Sequence, residues 1–251
     1  MIAPVPKEAT WEALLVDGYE PVRRAQRVFR RLPSAPRCKL CQNPFHGIGG
    51  KLVGLAGFKP SRKNPNLCSK CCDGLPPGGL EVDIAVVFAD VRGSTGLGEE
   101  LSPTDFAARL NRFYVTATDV LVRHDAIIDK LIGDEVMALF IRGFAGDDYR
   151  AAAARAAIDL STSVTEVPIG VAANAGTAFV GNVGSGFVVD FTALGDAVNV
   201  AARLQSFASV GEVVLAADLY DLVESSHPGA RRQRVEVRGR EEPMDIAVLT
   251  P

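Results

Sequence analysis

The sequence reads IAVVFADVRGST at residues 84–95, a short apolar run that ends at an aspartate and a turn. Six apolar residues rich in β-branched side chains lie between Asp83 and Asp90. Such a run predicts a strand that is buried on both faces. Asp90 then has two interpretations: it forms the turn after the strand, or it binds a metal ion at the edge of a sheet.

Strand and helix patterns alternate after this run. A helix is predicted from Ser102 to His124, because serine caps helices well and Pro103 suits the first turn. Residues 126–131 and 136–141 predict the two strands of a hairpin. The remaining predictions are a helix over 147–163, strands over 167–173 and 177–182 around a turn, a strand over 187–191, a helix over 196–207, and a strand, helix, strand, strand series over 212–215, 216–224, 234–237 and 244–249. The fold class is therefore α+β, a mixed α/β sandwich, with a ferredoxin-like βαββαβ core.

The formal charge of −3 is the sum of two dissimilar parts of the 251-residue chain. Residues 1–80 carry 13 Lys and Arg against 5 Asp and Glu, whereas residues 81–251 carry 14 against 25. All five cysteines lie in the basic part. We therefore predict a helical segment over 1–37, a Cys-rich metal-binding module over 38–80, and an acidic domain over 81–251, with residues 76–79 as a linker.

Composition also excludes some classes. No apolar run approaches the roughly 20 residues of a membrane helix. The first residues lack the basic and then apolar pattern of a secretory signal. We therefore expect no transmembrane segment and a cytoplasmic location, where thiols stay reduced and clustered cysteines serve as metal ligands or redox centres.

A second acidic position falls at the tip of the predicted hairpin. The sequence reads KLIGDEVMA at residues 130–138, so that Asp134 lies in the turn. If the hairpin lies beside the strand that ends at Asp90, the two carboxylates face each other. Like charges repel unless cations lie between them, which is the arrangement of two-metal sites.

A third polar feature lies on the predicted helix over 196–207. Asn199 and Arg203 are four residues apart, so their side chains project from one face. Taken alone, they suit an ordinary helix surface or a clamp for phosphate and transition-state charge.

In this order and spacing, the three segments resemble the catalytic domain of class III nucleotidyl cyclases, the adenylyl and guanylyl cyclase family. The resemblance covers about residues 81–250 and is strongest to bacterial homodimeric adenylyl cyclases. It implies a palm-like ferredoxin fold that works as a head-to-tail homodimer, with active sites at the subunit interface. It also makes 81–251 the catalytic domain.

The resemblance implies a role for each matched residue. By position, two Mg²⁺ or Mn²⁺ ions bind Asp90 and Asp134, the purine is read by Lys130 and Thr192, the ribose and the transition state are held by Asn199 and Arg203, and the terminal phosphates contact Arg240.

The two purine-reading residues favour ATP over GTP. Lys130 can only donate hydrogen bonds, which suits the N1 acceptor of adenine, and the Thr192 hydroxyl can accept from its N6 amino group. We therefore predict an adenylyl cyclase that forms 3′,5′-cyclic AMP and pyrophosphate. The alternatives are a guanylyl cyclase and a cyclase-like signalling module that binds nucleotide without turnover.

The cysteines form two C-x₂-C knuckles separated by 26 residues. This spacing predicts a Cys₄ site for structural Zn²⁺, with an iron–sulfur cluster as the alternative. The predicted ligands are Cys38, Cys41, Cys68 and Cys71, with Cys72 as a further candidate and His46 as a loop residue that could also bind. The module would regulate or stabilise the catalytic domain.

Five arginines lie between residues 23 and 31. They predict either a solvated helix face or a surface for an acidic regulatory partner. Nucleic acid is disfavoured as a partner, because the basic part lacks interleaved aromatic residues and a recognition helix.

Overall fold

The computed structural model describes residues 11–17, 38, 41–61, 65, 67–72, 78–185 and 188–251. The arginine run at residues 23–31, with its predicted partner surface, lies outside them. In chain order the helices are α1 (Gly47–Leu55), α2 (Ser69–Cys72), α3 (Ser94–Glu100), α4 (Pro103–Arg123), α5 (Arg142–Ala145), α6 (Tyr149–Ser163), α7 (Asp196–Gln205) and α8 (Ala217–Asp221). The strands are β1 (Gly78–Val91), β2 (Ile127–Ile132), β3 (Glu135–Ile141), β4 (Ile169–Ser185), β5 (Val188–Leu194), β6 (Val213–Ala216), β7 (Arg231–Val235) and β8 (Met244–Leu249).

The strands form one mixed sheet in the order β2-β3-β1-β4-β6-β8-β7, and β5 pairs with β4. The β4–β6 pair is parallel, and the other pairs are antiparallel. Strands β1 to β4 with α4 and α6 form the βαββαβ unit, which confirms the predicted fold class. The predicted cap of α4 is also confirmed, because Ser102 Oγ accepts from the backbone N–H of Asp105 at 3.1 Å.

Successive side chains of β1 alternate between two hydrophobic cores, one on each face of the sheet. Ala85 and Val87 belong to the core beneath α4 and α6, which includes the fully buried Phe113 and Ala157. Because successive strand residues point to opposite faces, the residues between them face the other side of the sheet. The central strand is therefore buried on both faces, as its composition predicts.

The second face of the sheet is covered in part by α7 and in part by the N-terminal residues. Ile84 and Val86 share a core with Trp11 and with the buried cysteines of the two knuckles. The Trp11 ring stacks on Phe191 of β5, with ring centroids 6.2 Å apart. The Cys-rich module therefore packs directly on the sheet that carries the candidate site.

Two local predictions are wrong. Residues 174–176 were expected to form a turn, but β4 continues through them from Ile169 to Ser185. The buried side chain of Asn174 donates instead to the carbonyl of Ala197 at 2.9 Å, which fastens β4 to α7. Gly78 and Gly79 of the predicted linker belong to β1, where a Cβ atom on Gly79 would lie 2.3 Å from a backbone oxygen of β4.

In the described part of the chain, no helix combines the length and the apolar character needed to cross a lipid bilayer.

Candidate active site and cysteine centre

The two aspartates of the predicted metal site lie at the end of β1 and at the tip of the β2–β3 hairpin. Asp90 pairs in register with Glu135, which directly follows Asp134. The backbone N–H of Val91 donates to the carbonyl of Asp134 at 3.2 Å. Burial raises the pKa of Asp90 above its ordinary value, and the nearby Asp134 charge adds to the effect. The structure therefore brings the two carboxylates into one acidic site.

The turn that carries Asp134 is held from the helix layer. Gly133 has a φ of 62°, in the left-handed region that favours glycine. Tyr114 of α4 donates its hydroxyl to the carbonyl of Gly133. Helix α4 thus fixes the height of the hairpin tip beside β1.

The acidic site contains three carboxyl groups, those of Asp90, Asp134 and Glu135, and a nearby cation, Arg92. Burial, followed by the charges of Asp90 and Asp134, raises the pKa of Glu135 to about 7. Arg92 lies 3.4 Å from Asp90 and also donates to the carbonyl of Gln205 at the end of α7. A divalent ion that prefers carboxylate oxygen would relieve the remaining repulsion, so the donor set fits Mg²⁺ or Mn²⁺.

The predicted purine-reading residues lie in direct contact. Lys130 Nζ donates to Thr192 Oγ1 at 2.8 Å and to Asp190 Oδ2 at 2.9 Å. Thr192 Oγ1 donates to Asp129 Oδ2 at 2.8 Å. Strands β2 and β5 are not hydrogen-bonded neighbours in the sheet, so these side chains join them through one polar network.

The predicted clamp residues lie along α7. Asn199 is exposed and Arg203 is half-buried. The loop after Val237 packs against Arg203. A Cβ atom added to Gly239 would lie only 3.2 Å from Arg203 Nη1.

Arg240 follows on the same loop. Its Nη1 atom lies 3.2 Å from Asp196 Oδ2, at the first residue of α7. Asn199 and Arg203 lie three and seven residues after Asp196, on the same stripe of the helix. The structure therefore gathers the predicted ribose and phosphate residues around α7. Within the described residues, no hydrogen bond or ion pair joins Asn199 or Arg203 to the carboxylates at the end of β1.

The four predicted cysteine ligands lie in one cluster. Their Sγ atoms all lie within 4.8 Å of one another. Cys41 and Cys68, from different knuckles, have sulfur atoms 3.7 Å apart, and the backbone N–H of Cys68 donates to Cys38 Sγ at 3.2 Å. The side chain of Cys72 lies outside the described residues, and His46 is exposed and does not belong to the cluster.

This sulfur spacing fits a single tetrahedral ion. With bonds of about 2.3 Å, four thiolates around one Zn²⁺ lie about 3.8 Å apart. In an iron–sulfur cluster the thiolates are shared among two or four irons, so some sulfur pairs must also span an iron–iron separation. Sulfur atoms bound to different irons would therefore lie farther apart than the 4.8 Å within which the cysteine sulfurs lie here.

Comparison with known proteins defines the class. The family model described as "Adenylate and Guanylate cyclase catalytic domain" matches residues 81–250. This chain belongs to that family.

Solved cyclase structures share the fold. The guanylyl cyclase Cya2 is 22% identical, with a TM-score of 0.64 over 68% of this chain and 93% of its own. The adenylyl cyclase CyaB from P. aeruginosa is 26% identical, with a TM-score of 0.62 over 68% of this chain and 96% of its own. The similar structures thus include cyclases of both purines.

Curated relatives include proteins from mycobacteria. The uncharacterized protein Rv1318c of Mycobacterium tuberculosis is 34% identical over 68% of this chain and 33% of its own length. The uncharacterized protein Rv1320c of the same organism is 33% identical over 94% of this chain and 41% of its own. The chain therefore spans well under half the length of these relatives.

Sequence reasoning missed four charged residues of the two sites. Asp190 could have been found, because it is two residues from Thr192 on one strand and so shares its face. Asp129 could not, because strict alternation places it on the opposite face from Lys130. Glu135 directly follows Asp134, and only the register of β1 with β3 brings it opposite Asp90. Arg92 lies two residues after Asp90, and its ion pair with that carboxylate depends on the turn after β1.

Proposed function

We propose that this protein is an adenylyl cyclase, which converts ATP into 3′,5′-cyclic AMP and pyrophosphate. Membership of the cyclase family supplies the reaction class. The observation that carries the choice of purine is the contact between Lys130 and Thr192, which puts a cation and a hydroxyl side by side. The similar solved structures include cyclases for either purine, so the choice of ATP rests on this contact.

Hydrogen-bond direction favours adenine in this pocket. Lys130 has three N–H donors, and its partners are Thr192 at 2.8 Å, Asp190 at 2.9 Å and, more weakly at 3.5 Å, Asp129. Adenine N1 would replace the weak contact with Asp129. Guanine carries a hydrogen at N1 and would present a donor to that donor. Each buried mismatch of this kind costs roughly 1–3 kcal/mol.

The reaction needs orientation and charge stabilisation more than new bonds to the protein. The ribose 3′-oxygen of ATP attacks the α-phosphate of the same molecule, and pyrophosphate leaves. When bound at Asp90 and Asp134, two Mg²⁺ or Mn²⁺ ions would lower the pKa of the 3′-hydroxyl and hold the triphosphate. Asn199 would orient the ribose, and the guanidinium of Arg203 would meet the charge that develops on the α-phosphate. Arg240, beside α7, would contact the terminal phosphates.

A homodimer completes the proposed site. In the arrangement that the family resemblance implies, one subunit supplies the two aspartates and the other supplies the purine, ribose and phosphate residues. Each chain carries both sets, and within the described residues no hydrogen bond or ion pair joins Asn199 or Arg203 to the two aspartates. Two chains related by a twofold axis would therefore form two complete sites.

The Cys-rich module, proposed as residues 38–80, would hold structural Zn²⁺ on its four clustered thiols beside the catalytic domain at 81–251. Its packing on the sheet supports a role in stabilising or regulating that domain. Reduced thiols and ATP are both found in the cytoplasm, which is the location that we propose.

The test is product analysis of the purified protein with ATP and with GTP, each in Mn²⁺ and in Mg²⁺. We expect cyclic AMP from ATP and a smaller kcat/KM for GTP. A larger kcat/KM for GTP would make the protein a guanylyl cyclase. Nucleotide binding by a metal-loaded dimer without any cyclic product would make it a non-catalytic signalling module.

A further inference from the structure

A buried carboxylate is hydrogen-bonded to Thr192, one of the two proposed purine-reading residues. The side chain of Asp129 is fully buried, and its Oδ2 atom accepts from Thr192 Oγ1 at 2.8 Å. We propose that Asp129 is a positioning residue that fixes the direction of the Thr192 hydroxyl and thereby makes the purine pocket selective for adenine. This inference rests on the proposed function, because it explains how that site rejects GTP.

The fold places Asp129 in this position through an irregularity in β2. The pairing of β2 with β3 shifts register between Ile128 and Lys130, so Asp129 is the extra residue of a β-bulge. Bulges redirect side chains and are common beside active sites. Here the bulge lets Asp129 and Lys130, which are neighbours in sequence, both approach Thr192.

A free threonine hydroxyl cannot discriminate between adenine and guanine. It has one proton to donate and two lone pairs to accept, so it can rotate to bind either the N6 amino group or the O6 oxygen. In this chain the proton points to Asp129, because an ionised carboxylate only accepts. One lone pair of Thr192 accepts from Lys130, and the other is left for the ligand.

The fixed hydroxyl is therefore an acceptor toward the purine. The N6 amino group of adenine can donate to it, whereas the O6 oxygen of guanine would meet another acceptor. Selectivity then depends on Asp129 as much as on Thr192, although only Thr192 touches the base.

The test compares kcat/KM for ATP and GTP in single variants of the full chain. Asp129→Asn keeps the shape but offers both a donor and an acceptor, so the Thr192 proton is released. We expect the ATP to GTP ratio to fall about tenfold, mainly through a larger kcat/KM for GTP. Asp190→Asn is the matched control, because it removes a carboxylate that binds Lys130 but not Thr192. Its ratio should stay within about threefold of wild type.

Two further variants keep the inference testable if Asp129→Asn does not fold. Thr192→Ser retains the hydroxyl and should keep the preference for ATP. Thr192→Val removes the hydroxyl and should weaken the preference through a smaller kcat/KM for ATP, without a gain toward GTP, because Lys130 still disfavours guanine at N1. In the double variant Asp129→Asn/Thr192→Val, the ratio should equal that of Thr192→Val alone.

Competition binding with non-reacting ATP and GTP analogues reads the same preference without turnover. An unchanged ratio in Asp129→Asn, or in Thr192→Val, with wild type still preferring ATP would overturn the role of Asp129 and leave the adenylyl cyclase intact. A wild-type preference for GTP would instead overturn the proposed function and this inference with it.

Discussion

Replacing Asp90 with alanine is expected to lower the turnover of ATP by about 10³-fold, because several kcal/mol of charge stabilisation by bound metal would be lost. Asp90 lies at the end of the central strand, within interaction distance of Asp134 and opposite Glu135. Its removal leaves Arg92 without its carboxylate partner and opens the metal site on one side. Steady-state rates at saturating Mn²⁺ measure the effect.

The matched control is Asp119→Ala. Asp119 lies on the exposed side of α4 and pairs with Arg123 one helical turn away, an interaction of little energetic weight. Its turnover should equal that of wild type. An Asp90→Ala protein that folds, dimerises and retains more than about a tenth of wild-type turnover would contradict the metal-binding role of Asp90.

The second large effect concerns the cysteine cluster. Replacing Cys38 with serine should release the proposed zinc ion and lower the melting temperature by about 10 °C, because the binding free energy of a structural metal is also folding free energy. Cys38 and Cys68 are fully buried, in the same core as Ile84 and Val86 of β1. The loss of stability should therefore include the sheet that carries the candidate active site. Metal content and thermal unfolding measure the two effects.

Cys72→Ser is the control for this prediction, because four other thiols already complete a tetrahedral set. It should retain one zinc per chain, and the protein should be colourless. A brown protein with several irons per chain would identify an iron–sulfur cluster, and a red one with a single iron would identify a mononuclear iron site. Zinc loss in Cys72→Ser equal to that in Cys38→Ser would contradict the assignment of ligands.

The strands and the main helices could be predicted because their patterns are local. The apolar run at 84–89 became the centre of β1, and the cap at Ser102 began α4 as expected. Strand β8 has the predicted bounds of Met244–Leu249. Composition and spacing at the level of single elements were sufficient for these.

The failures arose where contacts between distant residues decide the outcome. Asn174 and Gly176 have the chemistry of a turn, but pairing with β1 on one side and with α7 through Asn174 keeps β4 continuous. The bulge at Asp129 depends on the register of the hairpin, which no pattern within β2 encodes. The acidic site was predictable from its two aspartates, whereas its neighbours in the network were not.

The proposed shared site predicts how much activity returns when two inactive variants are combined. Asp90→Ala and Arg203→Ala each remove one half of every site in their homodimers, and loss of the arginine alone should cost on the order of 10²–10³ in rate. A mixed dimer has one site in which both changes meet and one site that is wholly intact.

The most direct test of the shared active site is to mix the two inactive proteins in equal amounts and allow their subunits to exchange. Half of the dimers are then mixed, so cyclic AMP synthesis should return to about one quarter of the wild-type rate. Mixed dimers that are present, as shown by differently tagged chains, and yet make no cyclic AMP would contradict an active site built from two chains.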